Sequence, residues 1–411
     1  MKSLFFFFAL ALPAPAAAGA DEAARAAAVL AAPEPRGAEA LFDREFFSRI
    51  SLEELNALFR DLYRERGAVT ATLLVSSEPR GGHYFYDTAG GWRLPVAVSL
   101  NPRGGKIKGF FLGPAYRKSA ALAAARDRLA ALPGRKGLLA RRLGKTPETL
   151  EALNEEEYFS VGAVSDLYLL GALLRSGTPW RKVFRLPAGG GPSPRGRLSA
   201  WPAGSPLTAQ ALAARMISGG DRAAGDALID GLGRRRIEAL LPALGHGAPE
   251  RLRPFLKTSE ALQLRSGTEA ALEYLNLPPG RRYAFLGALA AAPPAAAPAP
   301  RSSLGVNKIG WQASPADLCR LMDYFLAGAD ERALAILALN PGRPAAAENF
   351  AYAGHKSGSG PGALAAAWLL QDKKGRWTCL AAAWNGGAAD SDAGEFSGVL
   401  AAALAALAAA D

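Results

Sequence analysis

Apolar positions recur at helical spacing from Glu39 to Arg66: Leu41, Phe46, Phe47 and Ile50, then Leu55, Leu58, Phe59 and Tyr63. Ser51 with Glu53 and Glu54 marks the start of a second helix. The period then changes. Val69 to Ser76, His83 to Asp87, Trp92 to Ser99 and Lys106 to Leu112 are short alternating or aromatic runs divided by Gly-containing turns, the pattern of an antiparallel meander. Residues 38 to 115 are therefore expected to form a small α+β domain. Beyond Pro114 the pattern turns mostly helical, with helices expected at Lys118 to Leu132 and at Pro147 to Asn154, the latter capped by Thr146. The helical middle runs to about Leu289, interrupted by the Gly/Pro/Arg-rich stretch Pro187 to Arg197, and ends in a low-complexity excursion over 290–303. A helix at Pro315 to Ala327, strands around Phe350 to His355, Ala363 to Leu370 and Trp377 to Trp384, and a final helix from Gly394 to Ala410 complete the chain. Residues 116 to 411 thus read as a second α+β domain, an antiparallel sheet flanked by helices plus an all-helical part.

Composition narrows the chemistry. The chain has 411 residues, 50% of them hydrophobic, with two cysteines and three histidines. That supply gives no disulfide-rich scaffold and no conventional zinc site, and His83, His246 and His355 stand far apart, so neither a metal nor a cofactor is expected. The net charge of +11 is spread along the sequence and not gathered into a basic stripe, which argues against nucleic acid as partner. Lys2, the apolar run Ser3 to Leu12 and the small residues Ala18-Gly19-Ala20 before Asp21 read as a signal peptide over residues 1–20, so the mature protein is expected to be periplasmic or secreted. No later run is long and apolar enough to span a membrane. In an oxidising compartment Cys319 and Cys379 either pair or sit as two buried small hydrophobes.

Two nucleotide signals fail. Leu143-Gly144-Lys145-Thr146 resembles the end of a phosphate loop, but Leu139 occupies the position of its first glycine, and Gly189-Gly190-Gly191 has neither a strand before it nor a lysine after it. Three other segments carry more. These are Phe159 to Leu173 (FSVGAVSDLYLLGAL), Met216 to Asp226 (MISGGDRAAGD) and Gly354 to Gly362 (GHKSGSGPG), with Trp311 to Cys319 (WQASPADLC) beside them. In order and spacing they resemble the Ser-x-x-Lys, Ser-Asp-Asn and Lys-Thr/Ser-Gly motifs of the class A β-lactamase and penicillin-binding-protein superfamily of serine hydrolases, over roughly residues 116 to 411. The resemblance implies a serine nucleophile at a helix start, a lysine three residues on in the proton relay, a second serine and an asparagine facing them, and a lysine and hydroxyl on a strand that meet a substrate carboxylate.

Carried across residue by residue, the first two motifs are lost. Ala163 stands at the nucleophile position, Asp166 at the relay lysine, and Gly220-Asp221-Arg222 where Ser-Asp-Asn is expected; only Lys356-Ser357-Gly358 is intact. Ser165 lies about 200° around a helix from Ala163, and Ser160 has Ala163 three residues on, not lysine. Removing the reacting groups of a serine hydrolase costs about a millionfold in rate. The implied protein is a degenerate member of the superfamily without catalytic residues, whose Lys356, Ser357 and Gly358 bind a carboxylate-bearing peptidoglycan- or β-lactam-like ligand, with Asp221 and Arg222 shaping the facing wall. The alternatives are an active hydrolase of β-lactams, esters or amides using Ser160, Ser165 or Ser357, and an envelope scaffold that works through its surfaces. The N-terminal region resembles cystatin-like or NTF2-like small domains. Tyr84, Phe85, Tyr86, Trp92, Phe110 and Phe111 are its candidate hydrophobic cone or, more simply, its core, with His83 and Asp87 read as turn and surface residues.

Overall fold

In a computed structural model the chain divides into two compact units, up to residue 118 and from residue 119. The structure describes residues 19–78, 80–102, 105–117, 121–187, 198–266, 268–291, 308–342, 349–360, 362–386 and 391–409. The expected signal segment up to residue 18, most of the Pro187 to Arg197 interruption and most of the low-complexity excursion lie outside them.

The first unit holds α1 (Ala20–Leu30), α2 (Ala38–Leu41) and α3 (Leu52–Arg66), then β1 (Val69–Glu78), β2 (Gly81–Thr88), β3 (Trp92–Leu100), β4 (Ile107–Leu112) and β5 (Tyr116–Arg117). The four long strands form an antiparallel meander in chain order, and β5 pairs with the start of β3. Helix α3 starts where the sequence signal puts it, in a capping box in which the Glu54 amide donates to Ser51 Oγ and the Ser51 amide to Glu54 Oε2. Tyr84 and Tyr86 share one face of β2 and join Phe42 and Phe59 in the core, whereas Phe85 points to the other face and meets the edge of Tyr116. The six aromatics therefore do not line one cone, and Phe111 is 66% exposed. Asp87 is no turn residue: it lies within β2, 6% exposed, and accepts hydrogen bonds from the Arg93 guanidinium at 2.7 and 3.1 Å.

The second unit opens with α4 (Leu122–Ala131), β6 (Arg135–Arg142), β7 (Glu148–Leu153) and β8 (Phe159–Ser160), followed by α5 (Asp166–Arg175), β9 (Val183–Arg185) and β10 (Pro206–Thr208). Six helices come next: α6 (Ala209–Gly219), α7 (Arg222–Leu232), α8 (Arg234–Leu240), α9 (Thr258–Ser266), α10 (Thr268–Asn276) and α11 (Pro279–Ala291). The chain closes with β11 (Gln312–Ala313), α12 (Pro315–Gly328), α13 (Glu331–Ala338), β12 (Tyr352–Gly360), β13 (Ala363–Gln371), β14 (Trp377–Asn385) and α14 (Ser391–Ala409). The expected helix over Pro147 to Asn154 is corrected to β7, because Glu148 to Leu153 pair with β6 at the margin of the main sheet. Its order is β12-β13-β14-β6-β7, antiparallel throughout. Both faces are covered: alternate residues Cys379, Ala381 and Ala383 of β14 enter the core that holds α5, α6 and α12, and α14 packs with α4 and β14. The molecule is α+β, as the sequence pattern predicts.

A disulfide joins Cys319 on α12 to Cys379 on β14, both fully buried, closing a loop with a sequence separation of 60. The chain-entropy relation gives such a loop about 4 kcal/mol. Replacing both cysteines by alanine is expected to lower the unfolding free energy by about that amount in urea titrations, with the slope showing whether the unfolded state also expands. A second internal anchor is Asp226 of α7, whose carboxylate accepts the amides of Thr258 at 2.7 Å and Ser259 at 3.1 Å, two of the unpaired donors at the start of α9. Burial pushes its pKa from 3.8 up to about 6, against these hydrogen bonds. The folded state then binds the proton more tightly than the unfolded chain, so this group's contribution is complete below about pH 4 and is lost as pH rises through about 6. Measured against the non-titrating Asp226→Asn variant, the wild type should lose about 1.4 kcal/mol per pH unit across that window and nothing more above pH 7.

Candidate functional site

The site forms where the edge strand β12 meets the turn that enters α5. That turn is held from several sides. Strand β8 pairs with β11, the Asn385 amide at the end of β14 accepts from Ser160 N at 2.8 Å and donates to Ser160 O at 3.1 Å, and Val161 N donates to Trp311 O at 3.0 Å. From this anchor Gly162 to Ser165 make one 3-10 turn, with Gly162 in the left-handed region at φ +52°, before α5 starts at Asp166. Gly358 lets β12 come this close: a Cβ there would sit 2.4 Å from Val161 O and 2.6 Å from Ala163 N, both backbone atoms.

Ala163 and Asp166 fall together with Lys356, as structural parts. Ala163 is at the centre of the turn and has no reacting atom. Asp166, three residues on, points its carboxylate at the strand lysine: Lys356 Nζ stands 2.7 Å from Asp166 Oδ2 and also donates to Met216 O at 2.6 Å and Ile217 O at 3.3 Å. An ammonium has three N–H donors, and all three are used. Lys356 is 2% exposed and Asp166 half-buried. Each charge also sits at the helix end that favours it, the carboxylate at the N-terminus of α5 and the ammonium over the last carbonyls of α6. Burial raises the Asp166 pKa above the ordinary carboxylate range, with the charge and hydrogen bond of Lys356 opposing it.

The remaining positions of the motif segments have local duties. Gly220 ends α6 at φ +63°, a conformation that suits glycine, and Asp221 is the N-cap of α7, its Oδ1 accepting from Ala224 N at 3.3 Å and its Oδ2 from Leu198 N at 3.1 Å. Arg222 opens the helix. Ser160 is buried in β8, and Ser165 Oγ donates to Gly162 O at 2.8 Å. Ser357 is exposed on β12, next to a lysine already committed elsewhere.

A buried polar group that sequence reasoning missed lies around α12. Ser314 and Asp317 make a capping box; Asp317, fully buried, also accepts from Gly247 N at 2.8 Å and from the Arg320 guanidinium. His246 bonds Gln312 O through Nε2 at 2.8 Å and accepts Ala248 N at Nδ1 at 3.2 Å, so its ring carries one proton and is neutral. Burial lowers its pKa, which keeps it so. His355 stacks on Trp368 with ring centres 4.6 Å apart. Among the described residues no cluster of His, Cys, Asp or Glu is suited to hold a metal, and no helix is long and apolar enough to cross a membrane.

No family model and no curated protein matches the chain. Solved structures do. The chain is similar to the penicillin-binding protein PBP-A at 15% identity, covering 70% of this chain and 95% of that one, with a TM-score of 0.47. It is also similar to a β-lactamase from Chitinophaga pinensis at 15% identity, 70% and 98% coverage and a TM-score of 0.49, and to one from Desulfarculus baarsii at 21% identity, 70% and 98% coverage and a TM-score of 0.46. These neighbours are β-lactamases and a penicillin-binding protein.

Cutting one partner from a buried ion pair leaves the other charge stranded at a cost of about 3–5 kcal/mol, whereas replacing both by apolar residues is often neutral or better. Asp166→Ala is therefore expected to destabilise the protein by several kcal/mol in urea titrations. The double variant Asp166→Leu, Lys356→Met should recover most of that loss, and failure to recover would show that the helix-end contacts of Lys356, not the pair, carry the stability.

Proposed function

We propose that this chain is an exported, non-hydrolytic protein of the β-lactamase and penicillin-binding-protein superfamily, acting by contact and not by turnover. The observation that carries this reading is the Asp166–Lys356 ion pair at the former relay position. A serine hydrolase needs a nucleophile and a base within reach of each other. Here alanine replaces the first, and the nearest lysine is neutralised by an aspartate and held by two backbone carbonyls. Export rests on the N-terminal basic and apolar pattern and is favoured by the buried disulfide, a bond typical of oxidising compartments. In this reading residues 38 to 115 are a small cystatin- or NTF2-like domain and residues 116 to 411 the hydrolase-like one.

The same ion pair ranks the two non-catalytic alternatives. A carboxylate-bearing peptidoglycan or β-lactam ligand at Lys356, Ser357 and Gly358 must compete with Asp166 for an ammonium whose donors are all engaged. Without Lys356, that ligand has only the exposed Ser357 hydroxyl and the backbone at Gly358. The surface-scaffold reading needs no such exchange and is preferred. Incubating the mature protein with a reactive penicillin and a chromogenic cephalosporin, and recording intact mass and turnover together, is expected to give neither an acyl adduct nor hydrolysis. One acyl unit mapped to Ser160, Ser165 or Ser357 would overturn the proposal.

A further inference from the structure

Two clefts in the second unit treat their charge differently. One, of about 330 Å³ between α7, α8, α9 and α11, is self-neutralised: Arg234 pairs with Glu260 and Lys257 with Asp230, each at 2.5 Å. The other, of about 390 Å³, lies between the Glu250 to Leu256 loop, the end of α10 and the start of β11. Its walls carry Arg251, Arg253, Arg282 and Lys308 against a single carboxylate, Glu250, and among the described residues none of the four cations has a carboxylate within ion-pair distance. Glu238, which lies close behind, is committed to the Phe255 amide at 2.8 Å and the Tyr283 hydroxyl at 2.7 Å.

The guanidiniums are fixed by neutral partners. Arg282 donates from Nε and Nη2 to the carbonyls of Leu277 and Leu275 and lies over the Tyr274 ring. Arg251 bonds Gln312 Oε1 at 3.0 Å and stacks on Tyr158, and Arg253 Nη2 reaches Glu238 O at 3.2 Å. Carbonyls and ring faces orient these groups without cancelling their charge, and each guanidinium keeps further N–H donors of its five. Orienting the donors beforehand removes part of the ordering cost of binding. A wall with three more positive than negative charges suits an oxyanion bearing more than one charge, and planar N–H forks suit phosphate oxygens. The volume is that of a small-molecule site.

We propose that this cleft binds a phosphate-type oxyanion of two or more charges, such as the phosphate or pyrophosphate group of a small molecule. The inference is independent of whether the Ala163 site is silent. The test titrates pyrophosphate into the full-length mature protein by calorimetry at low salt, with succinate as the carboxylate comparison. Saturable binding is expected, weakening as salt rises and weakened about tenfold in each of Arg253→Gln and Lys308→Gln. Both residues are exposed, and a thermal melt of each variant confirms that it folds. No saturable pyrophosphate binding, or unchanged affinity in both folded variants, would overturn the proposal, as would succinate binding equally tightly.

Discussion

An ammonium removed from water needs three hydrogen-bond acceptors and a counter-charge close by, and Lys356 finds all of them at once on two helices. Asp166 opens α5, the carbonyls of Met216 and Ile217 close α6, and the lysine itself comes from the edge strand β12. Burying either charge alone would cost several kcal/mol, so the three elements are bound to one mutual position. The charge that Asp166 brings to the start of α5 is therefore compensated. Two cations side by side would repel in this low-dielectric site; a cation and an anion lock it.

The frame around this pair remains that of a fold made for close approach. Gly358 lets β12 reach the backbone of Val161 and Ala163, Asn385 fixes Ser160 two residues before the Ala163 turn, and the run of alanines in β13 and β14 lets helices cover both faces of the sheet. Positioning of this kind depends on backbone and small side chains and on no reacting group. The glycine is needed by packing and the lysine by Asp166, so neither requires a substrate to keep it.

What the sequence made legible follows physical range. Periodicity placed the four-strand meander, α3 with its Ser51 cap, α12 and the last three strands, because each is encoded by alternation or by a local start signal. It misplaced β7, since Thr146-Pro147 imitates a helix start and Glu-Thr-Leu-Glu-Ala-Leu favours helix, yet pairing with β6 decides the outcome. Strand β6 went unseen because arginines flank its three-residue apolar centre. At the site the residue types were readable and the pairing was not: Asp166 and Lys356 are 190 positions apart, and only the fold brings their charges within 2.7 Å. The disulfide was open for the same reason, and the Asp317 and His246 group carried no motif.

Charge is thus managed in two opposite ways within one unit. At the Ala163 turn every charge is answered internally, by Lys356 for Asp166 and by helix ends for both. Around the Glu250 to Leu256 loop the guanidiniums are oriented by carbonyls and aromatic faces, and no carboxylate among the described residues pairs with them. A protein gains nothing in stability from gathering like charges around a hollow, because their repulsion acts against the folded state. An ion pair closed on itself is what a fold keeps for its own integrity, whereas an oriented and unanswered charge is what a ligand can use. By that criterion the Asp166–Lys356 pair belongs to the architecture of this unit, and the arginine-lined cleft is where a ligand would find charge left to use.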